Sequence, residues 1–238
     1  MENIKDKGIV ISSFPYKDSD KIVTIFCLEQ GKISVRFTGV RKPNAKLLSV
    51  TQPCCFAEFV FAEGKAGKVA ISAECFDSFF DISKDYSAYV FACSALEIVS
   101  RFSRDGGESD SRLFVSLLKL LKSLAYDLSF NSSFAFIKFL LELLDEQGYG
   151  ISFVTDSNYD AVCFNSSEGA VIFTKQGLVF GESLTIKEAE LMYKLQKTDE
   201  KVFNVSVEET RHVVVLLSKY LTDKTGEQIV ALTKLLNS

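Results

Sequence analysis

The chain has 238 residues, a formal net charge of −4 and 47% hydrophobic residues, with 21 Phe, three Pro and no Trp. That apolar content excludes a disordered chain and supports a sizeable core, in one large domain or two small ones. No uncharged apolar run reaches the roughly 18 residues of a membrane-spanning helix, and the charged start "MENIKDKG" reads as no secretory signal, so a soluble cytoplasmic protein is expected.

The front of the chain reads as strands. "GIVISS" (8–13) is a short β-rich run, and "DKIVTIFCLEQGKISVRF" (20–37) is two apolar runs split by "EQG", a hairpin signal. In the second run Ile33, Val35 and Phe37 alternate with Lys32, Ser34 and Arg36. A period of two puts the apolar set on one face and both cations on the other. "CCFAEFVFAEG" (54–64) and "GKVAISAECF" (67–76) form a second hairpin. Five strands, with one longer connection after the third, predict a small closed barrel. Several runs are apolar on both faces, so part of the outer wall is expected to be covered by a second domain.

The period then changes to 3.6. Helices are expected over 85–102, 110–127 and 131–150, with Asp110 and Ser132 or Ser133 as caps and Gly148 as a stop. Residues 151–183 are Gly-punctuated and β-rich, an insertion of two or three strands. Helices resume over 184–197 and 206–226, where Thr185/Glu188 and Ser206/Glu209 have capping-box spacing, and a last one is expected over 227–237. The fold class is therefore α+β, with a barrel domain over 1–80 and a mainly α-helical domain over 81–238.

Catalytic motifs are scarce. The only histidine, His212, lies inside a helical pattern and reads as a surface or interface residue. There is no Gly-rich phosphate loop and no H-E-x-x-H. The acidic pairs Asp18/Asp20, Asp145/Glu146 and Glu208/Glu209 fall at turns, helix ends or caps. The six cysteines include no C-x-x-C, and adjacent Cys54 and Cys55 point to opposite faces of a strand, so they cannot share one ion. They read as buried free thiols rather than a disulfide framework. No enzymatic activity, metal or cofactor is expected.

One charge feature stands out. From Lys32 to Pro53 the chain holds Lys32, Arg36, Arg41, Lys42 and Lys46 and no acid. Residues 1–80 carry eleven Lys/Arg against nine Asp/Glu, whereas residues 81–238 carry sixteen against twenty-two. Cations on a barrel strand and its following loop make a groove suited to a phosphate backbone; the plain alternative is a solvated loop. Phe14 and Tyr16 could stack on bases, although core or hairpin packing is the favoured reading for both.

The stretch over 8–62 resembles the N-terminus of the RecO family of bacterial recombination mediators. The resemblance rests on Pro15, Tyr16, Ser19, Asp20, Ile22, Val23, Thr24 and Phe26, then Gly31, then "GVRKP" (39–43) with Lys46, then Gln52 and Pro53. The rest is looser but in family order, including "LLELLDEQGYG" (140–150). The resemblance implies an N-terminal OB-fold and a helical domain with a zinc-ribbon-like insertion. It also implies binding of single- and double-stranded DNA, strand annealing in recombinational DNA repair, and a nucleoid-associated location. The implied partners are RecR, the C-terminal tail of the single-stranded-DNA-binding protein, and RecF and RecA indirectly. The DNA-binding residues it implies are Arg36, Arg41, Lys42 and Lys46, joined by Lys32 on the same strand face, with Lys17 and Lys21 in the preceding motif.

Two departures matter. The insertion keeps only Cys163 where many relatives carry four zinc-binding cysteines, so no zinc is expected. Glu227 and Gln228 follow the "TG" after which relatives are often basic, so the acidic rear is expected to meet proteins. An RNA-binding module and a protein adaptor without direct nucleic-acid binding stand as alternatives.

Overall fold

The fold is described from a computed structural model of the chain, over residues 3–64, 67–106, 109–127, 131–155, 158–175, 180–198 and 204–231. The first five strands are β1 (Asn3–Tyr16), β2 (Asp20–Cys27), β3 (Gly31–Phe37), β4 (Phe56–Gly64) and β5 (Gly67–Asp77). They close a barrel in the order β1-β2-β3-β5-β4. Only the β3–β5 pair is parallel. The expected five-stranded OB-type barrel is therefore present.

β1 runs beyond the expected 8–13 at both ends. Its charged start hides a strand because Asn3 to Ile9 pair in register with Ala62 to Phe56 of β4. A register shift between Val10 and Ser12 then lets the far end, Ser12 to Tyr16, pair with Thr24 to Asp20 of β2. One long strand thus serves two neighbours, as barrel closure requires.

The inward residues follow the alternation. Val23, Ile25, Ile33, Val35, Phe37, Phe59 and Phe61 form the buried interior. Phe37 and Phe59 meet edge to face, with centroids 6.2 Å apart. Gly8 is where the wall comes closest, since a Cβ there would overlap Ile25 Cγ2. At this end of the barrel the buried Asp6 carboxylate accepts the amides of Glu29 (3.1 Å) and Gln30 (2.9 Å), fixing the β2–β3 turn.

The barrel's compact unit reaches Tyr126 and includes α1 (Tyr86–Phe102) and α2 (Ser111–Tyr126). Asp85 caps α1 through Ala88 N at 2.6 Å, and Asp110 caps α2 through Leu113 N at 3.0 Å. Phe114 of α2 packs on the outward side chains Phe26 and Phe56, at 5.8 and 6.2 Å between centroids. That contact covers part of the outer wall, with a helix of the barrel's own compact unit rather than with a second one.

The second unit begins at Asp127. It holds α3 (Ser132–Glu146), a sheet, then α4 (Ile186–Lys197) and α5 (Val207–Thr225). α3 buries Phe134, Phe136, Ile137, Phe139 and Leu140 among others and packs against α4 and α5. Its cap is Asn131, which accepts Ser133 N at 2.9 Å, rather than Ser132 or Ser133, because both serines already lie in the first turn. Both predicted capping boxes form, and Gly226 closes α5 in the left-handed region at φ 74°. The sheet has four strands, β6 (Ser152–Thr155), β7 (Ala161–Asn165), β8 (Ala170–Thr174) and β9 (Glu182–Leu184), in the order β6-β8-β7-β9. The expectation of two or three falls short because β9 has three residues, too few to show a period. The helix expected over 227–237 falls mostly outside the described residues.

Candidate nucleic-acid interface

β1 ends at Tyr16 and β2 begins at Asp20, so a tight turn over residues 17–19 sits at one end of the barrel. Lys17 makes that turn with φ 52°, unusual for a non-glycine residue. The 38–55 connection leaves β3 at the same end, since Lys21 and Phe37 are register partners.

This connection is not a free loop. Val40, Val50 and Thr51 are buried, with Val40 and Val50 joining the barrel core. Arg41 N donates to Ser19 O at 2.8 Å, and Arg41 Nη1 donates to Lys17 O at 3.3 Å. Amides of Lys42, Ala45 and Leu48 donate three residues back, to Gly39, Lys42 and Ala45, so the backbone advances in successive turns. The apolar residues plug the barrel end while Arg41, Lys42 and Lys46 stay exposed.

Asp20 organises the region. Its carboxylate, 8% exposed, accepts Gly39 N at 2.7 Å, and Arg36 donates to Oδ2 from Nε (2.8 Å) and Nη2 (2.5 Å). The Gly39 amide, and then Arg36, hold the Asp20 carboxyl below the usual carboxylate range. Gly39 can turn its amide inward because it stands at φ 65°, the left-handed region. The same Arg36 guanidinium lies 5.4 Å from the Tyr16 ring centroid.

The seven candidate cations therefore have different surroundings. Lys17 and Arg41 are exposed and joined by the Arg41 hydrogen bond to Lys17 O; Lys42 and Lys46 are exposed on the same connection. Lys21 donates to Thr51 Oγ1 at 3.2 Å, and burial, then the charge of Arg41, push its pKa down. Arg36 is paired with Asp20. Lys32 lies apart from this group, 12% exposed, with Nζ 2.5 Å from Ser100 O and 3.3 Å from Asp105 Oδ1.

Sequence reasoning missed two features. Phe14 and Tyr16 do not pack into core or hairpin; they are 62% and 40% exposed. Asp20 is neither a turn acid nor a solvated one but the anchor of the connection.

In the second unit the single histidine is held by two carboxylates. His212 Nδ1 lies 2.7 Å from Glu188 Oε1 and Nε2 lies 3.1 Å from Glu182 Oε1, so the ring ties α5 to α4 and β9. Burial pulls its pKa down, but hydrogen bonds donated to the Glu188 and Glu182 carboxylates outweigh that and the net direction is up. Cys163 is buried, with Sγ 3.9 Å from Phe180 O, and no group of three His, Cys, Asp or Glu residues among the described residues could hold a metal. The residues of the insertion therefore do not fit the zinc of the family's ribbon. Cysteines are not uniformly buried as expected: Cys75 is exposed at the barrel surface, with Sγ 3.7 Å from Cys55 Sγ. No helix among the described residues is long and apolar enough to cross a membrane.

Residues 1–79 match the family model "Recombination protein O N terminal", and residues 83–232 match "Recombination protein O C terminal". The chain is 28% identical over 218 residues to a DNA repair protein RecO of Clostridium acetobutylicum, covering 84% of this chain and 86% of that protein. It is 35% identical over 124 residues to its counterpart in Caldicellulosiruptor saccharolyticus, about half of each chain (51% and 51%). With that of Syntrophomonas wolfei the identity is 29% over 121 residues, covering 51% of this chain and 48% of the relative. With an OB-type barrel, a cation-bearing connection at one barrel end and both family models matched along its length, the chain belongs to the RecO family of DNA repair proteins.

Proposed function

We propose that the chain is a DNA-binding recombination mediator that acts without covalent chemistry. Exposed Arg41, Lys42 and Lys46 stand on a connection that is fixed to the barrel at both Asp20 and Ser19, beside exposed Lys17 of the β1–β2 turn. This is the observation that carries the reading. A pre-ordered set of cations neutralises phosphates with little ordering cost on binding. Two strands held on one cationic surface repel each other less and meet at higher local concentration, so complementary strands anneal faster. Arg36, held by Asp20, contributes through Tyr16 rather than as a free phosphate clamp, and Lys32 is outside the interface. Family membership supports roles with RecR and the single-stranded-DNA-binding protein in loading RecA, and the excess of acid over 81–238 suits protein contacts.

The test is a salt series of single-stranded DNA binding. Each phosphate contact contributes about 0.7 to the slope of log affinity against log salt for single strands. Replacing Arg41, Lys42 and Lys46 together by Ala should lower the slope by about 2 and weaken binding at every sequence tested. An unchanged slope would remove the connection as the site. Annealing on DNA coated with the single-stranded-DNA-binding protein should slow in the same variant.

A further inference from the structure

We infer that Phe14 and Tyr16 form a base-stacking shelf that makes this surface selective for single-stranded DNA. The inference rests on the DNA-binding reading above and adds what that reading lacks, a means of telling a single strand from a duplex.

The two rings share one face of the barrel. Phe14 is in register with Ile22 of β2, and Ile22 with Arg36 of β3, so the three stand in a row across the outer wall. Tyr16 is two residues further along β1, on the same face by strand alternation. Both rings lie beyond the reach of the helical roof that buries Phe26. An exposed Phe and an exposed Tyr side by side suit a ligand with flat apolar faces.

Their surroundings select which ligand. The Arg36 guanidinium and Lys17 Nζ each stand 5.4 Å from the Tyr16 centroid, and Arg41 is tied to the Lys17 carbonyl. Apolar rings bordered by cations match a polyanion that carries flat rings, which describes a nucleic-acid strand better than an apolar protein surface. Arg36 is fixed by Asp20, so the cation beside Tyr16 is in place before any ligand arrives.

Geometry supplies the selectivity. Alternate residues of an antiparallel strand are about 6.8 Å apart, roughly twice the 3.4 Å repeat of stacked bases. Two rings at that spacing meet bases of an extended strand. Inside a duplex the base faces are covered by their neighbours, and the shelf finds none. Phosphate contacts at Arg41, Lys42 and Lys46 are blind to this difference. Duplex DNA therefore binds through charge alone, and single strands through charge and stacking.

The test compares three probes of equal length in fluorescence anisotropy: a single-stranded DNA oligomer of mixed sequence, an abasic sugar-phosphate oligomer, and a duplex. The full chain should prefer the base-bearing strand over the abasic one by about tenfold or more. Phe14→Ala/Tyr16→Ala should erase that preference while leaving the salt slope and the affinity for duplex and abasic probes in place. Phe14→Leu/Tyr16→Leu keeps apolar surface and removes the rings, and should lose the preference equally. Equal binding of base-bearing and abasic strands by the unaltered chain, or full affinity in the leucine variant, overturns the shelf and leaves the cationic interface standing. No binding of any probe at low salt overturns the DNA-binding reading itself, and the shelf with it.

Discussion

Lys32 and Arg36 lie four residues apart on the same strand and the same outward face, yet they have different fates. The Lys32 ammonium is roofed by the end of α1, on Ser100 O, with Asp105 beside it. Arg36 lies on the unroofed side, held by Asp20 against Tyr16. Two phenylalanines repeat the contrast: Phe26 is 1% exposed under Phe114, whereas Phe14 is open to solvent. The outer wall of one small barrel is thus divided into a half sealed by helices and a half open to solvent. Strand alternation decides which residues face out, but only the helices decide which of those are sealed.

Truncating the two phenylalanines breaks this division most directly. Phe26→Ala removes a ring packed between barrel and α2 and should cost about 3–5 kcal/mol of unfolding free energy. Phe14→Ala removes a ring with little cover and should stay within about 0.5 kcal/mol. Chemical denaturation of the two variants reads both. Equal costs would mean that the open half is as structural as the sealed one.

Much of this was legible in the residues. Ile33, Val35 and Phe37 declared the barrel interior by their period, and Ser206/Glu209 declared a helix start by its capping chemistry. The five strands and their hairpins followed from the same signals, as did the basic connection. What could not be read was tertiary. Nothing in "KISVRF" tells Lys32 from Arg36, because the distinction is made by Ser100, 68 residues away. Phe14 and Tyr16 read as packing residues for the same reason: burial depends on which neighbour arrives, and none of the described helices covers those two rings. Charged Asn3 to Lys7 hid half a strand, since the pairing with β4 overrides local propensity.

The next effect is smaller and separates the two cation classes. Lys32→Ala strips a donor from the carbonyl of Ser100 near the α1 terminus and exposes the site its stem had covered. It should cost about 1–2 kcal/mol of stability while leaving the salt slope of DNA binding unchanged. The triple variant of Arg41, Lys42 and Lys46 should behave in the opposite way, with an altered slope and little change in stability. A Lys32 variant with normal stability and a reduced slope would place the interface on the sealed half after all.

The smallest expected effect sharpens a second contrast, between the two ends of the barrel, each held by one buried aspartate. Asp20 has a carboxyl held low, first by Gly39 N and then by Arg36. Its contribution to stability is present above the unfolded value of about 3.9 and is lost as pH falls through the lower folded value. Asp6 has a carboxyl pushed up, because burial outweighs the amides of Gln30 and Glu29. Its contribution has the opposite sign: full below the unfolded value, and lost as pH rises through the folded one. At pH 7 an ionised Asp6 therefore weakens the barrel while an ionised Asp20 strengthens it. Asp6→Asn keeps an oxygen for the two amides and removes the charge, so its stability should hold or rise, by about 1 kcal/mol or less. Asp20→Asn should melt earlier at pH 7, and its deficit should begin to close as the pH falls below about 4, where the unfolded carboxyl protonates, and go on closing as the pH falls through the lower folded value. Thermal melts of both variants between pH 3 and pH 7 measure this. Curves that shift in the same direction at neutral pH would show that the two ends are held by one chemistry rather than two, and that the basic connection owes nothing special to its buried acid.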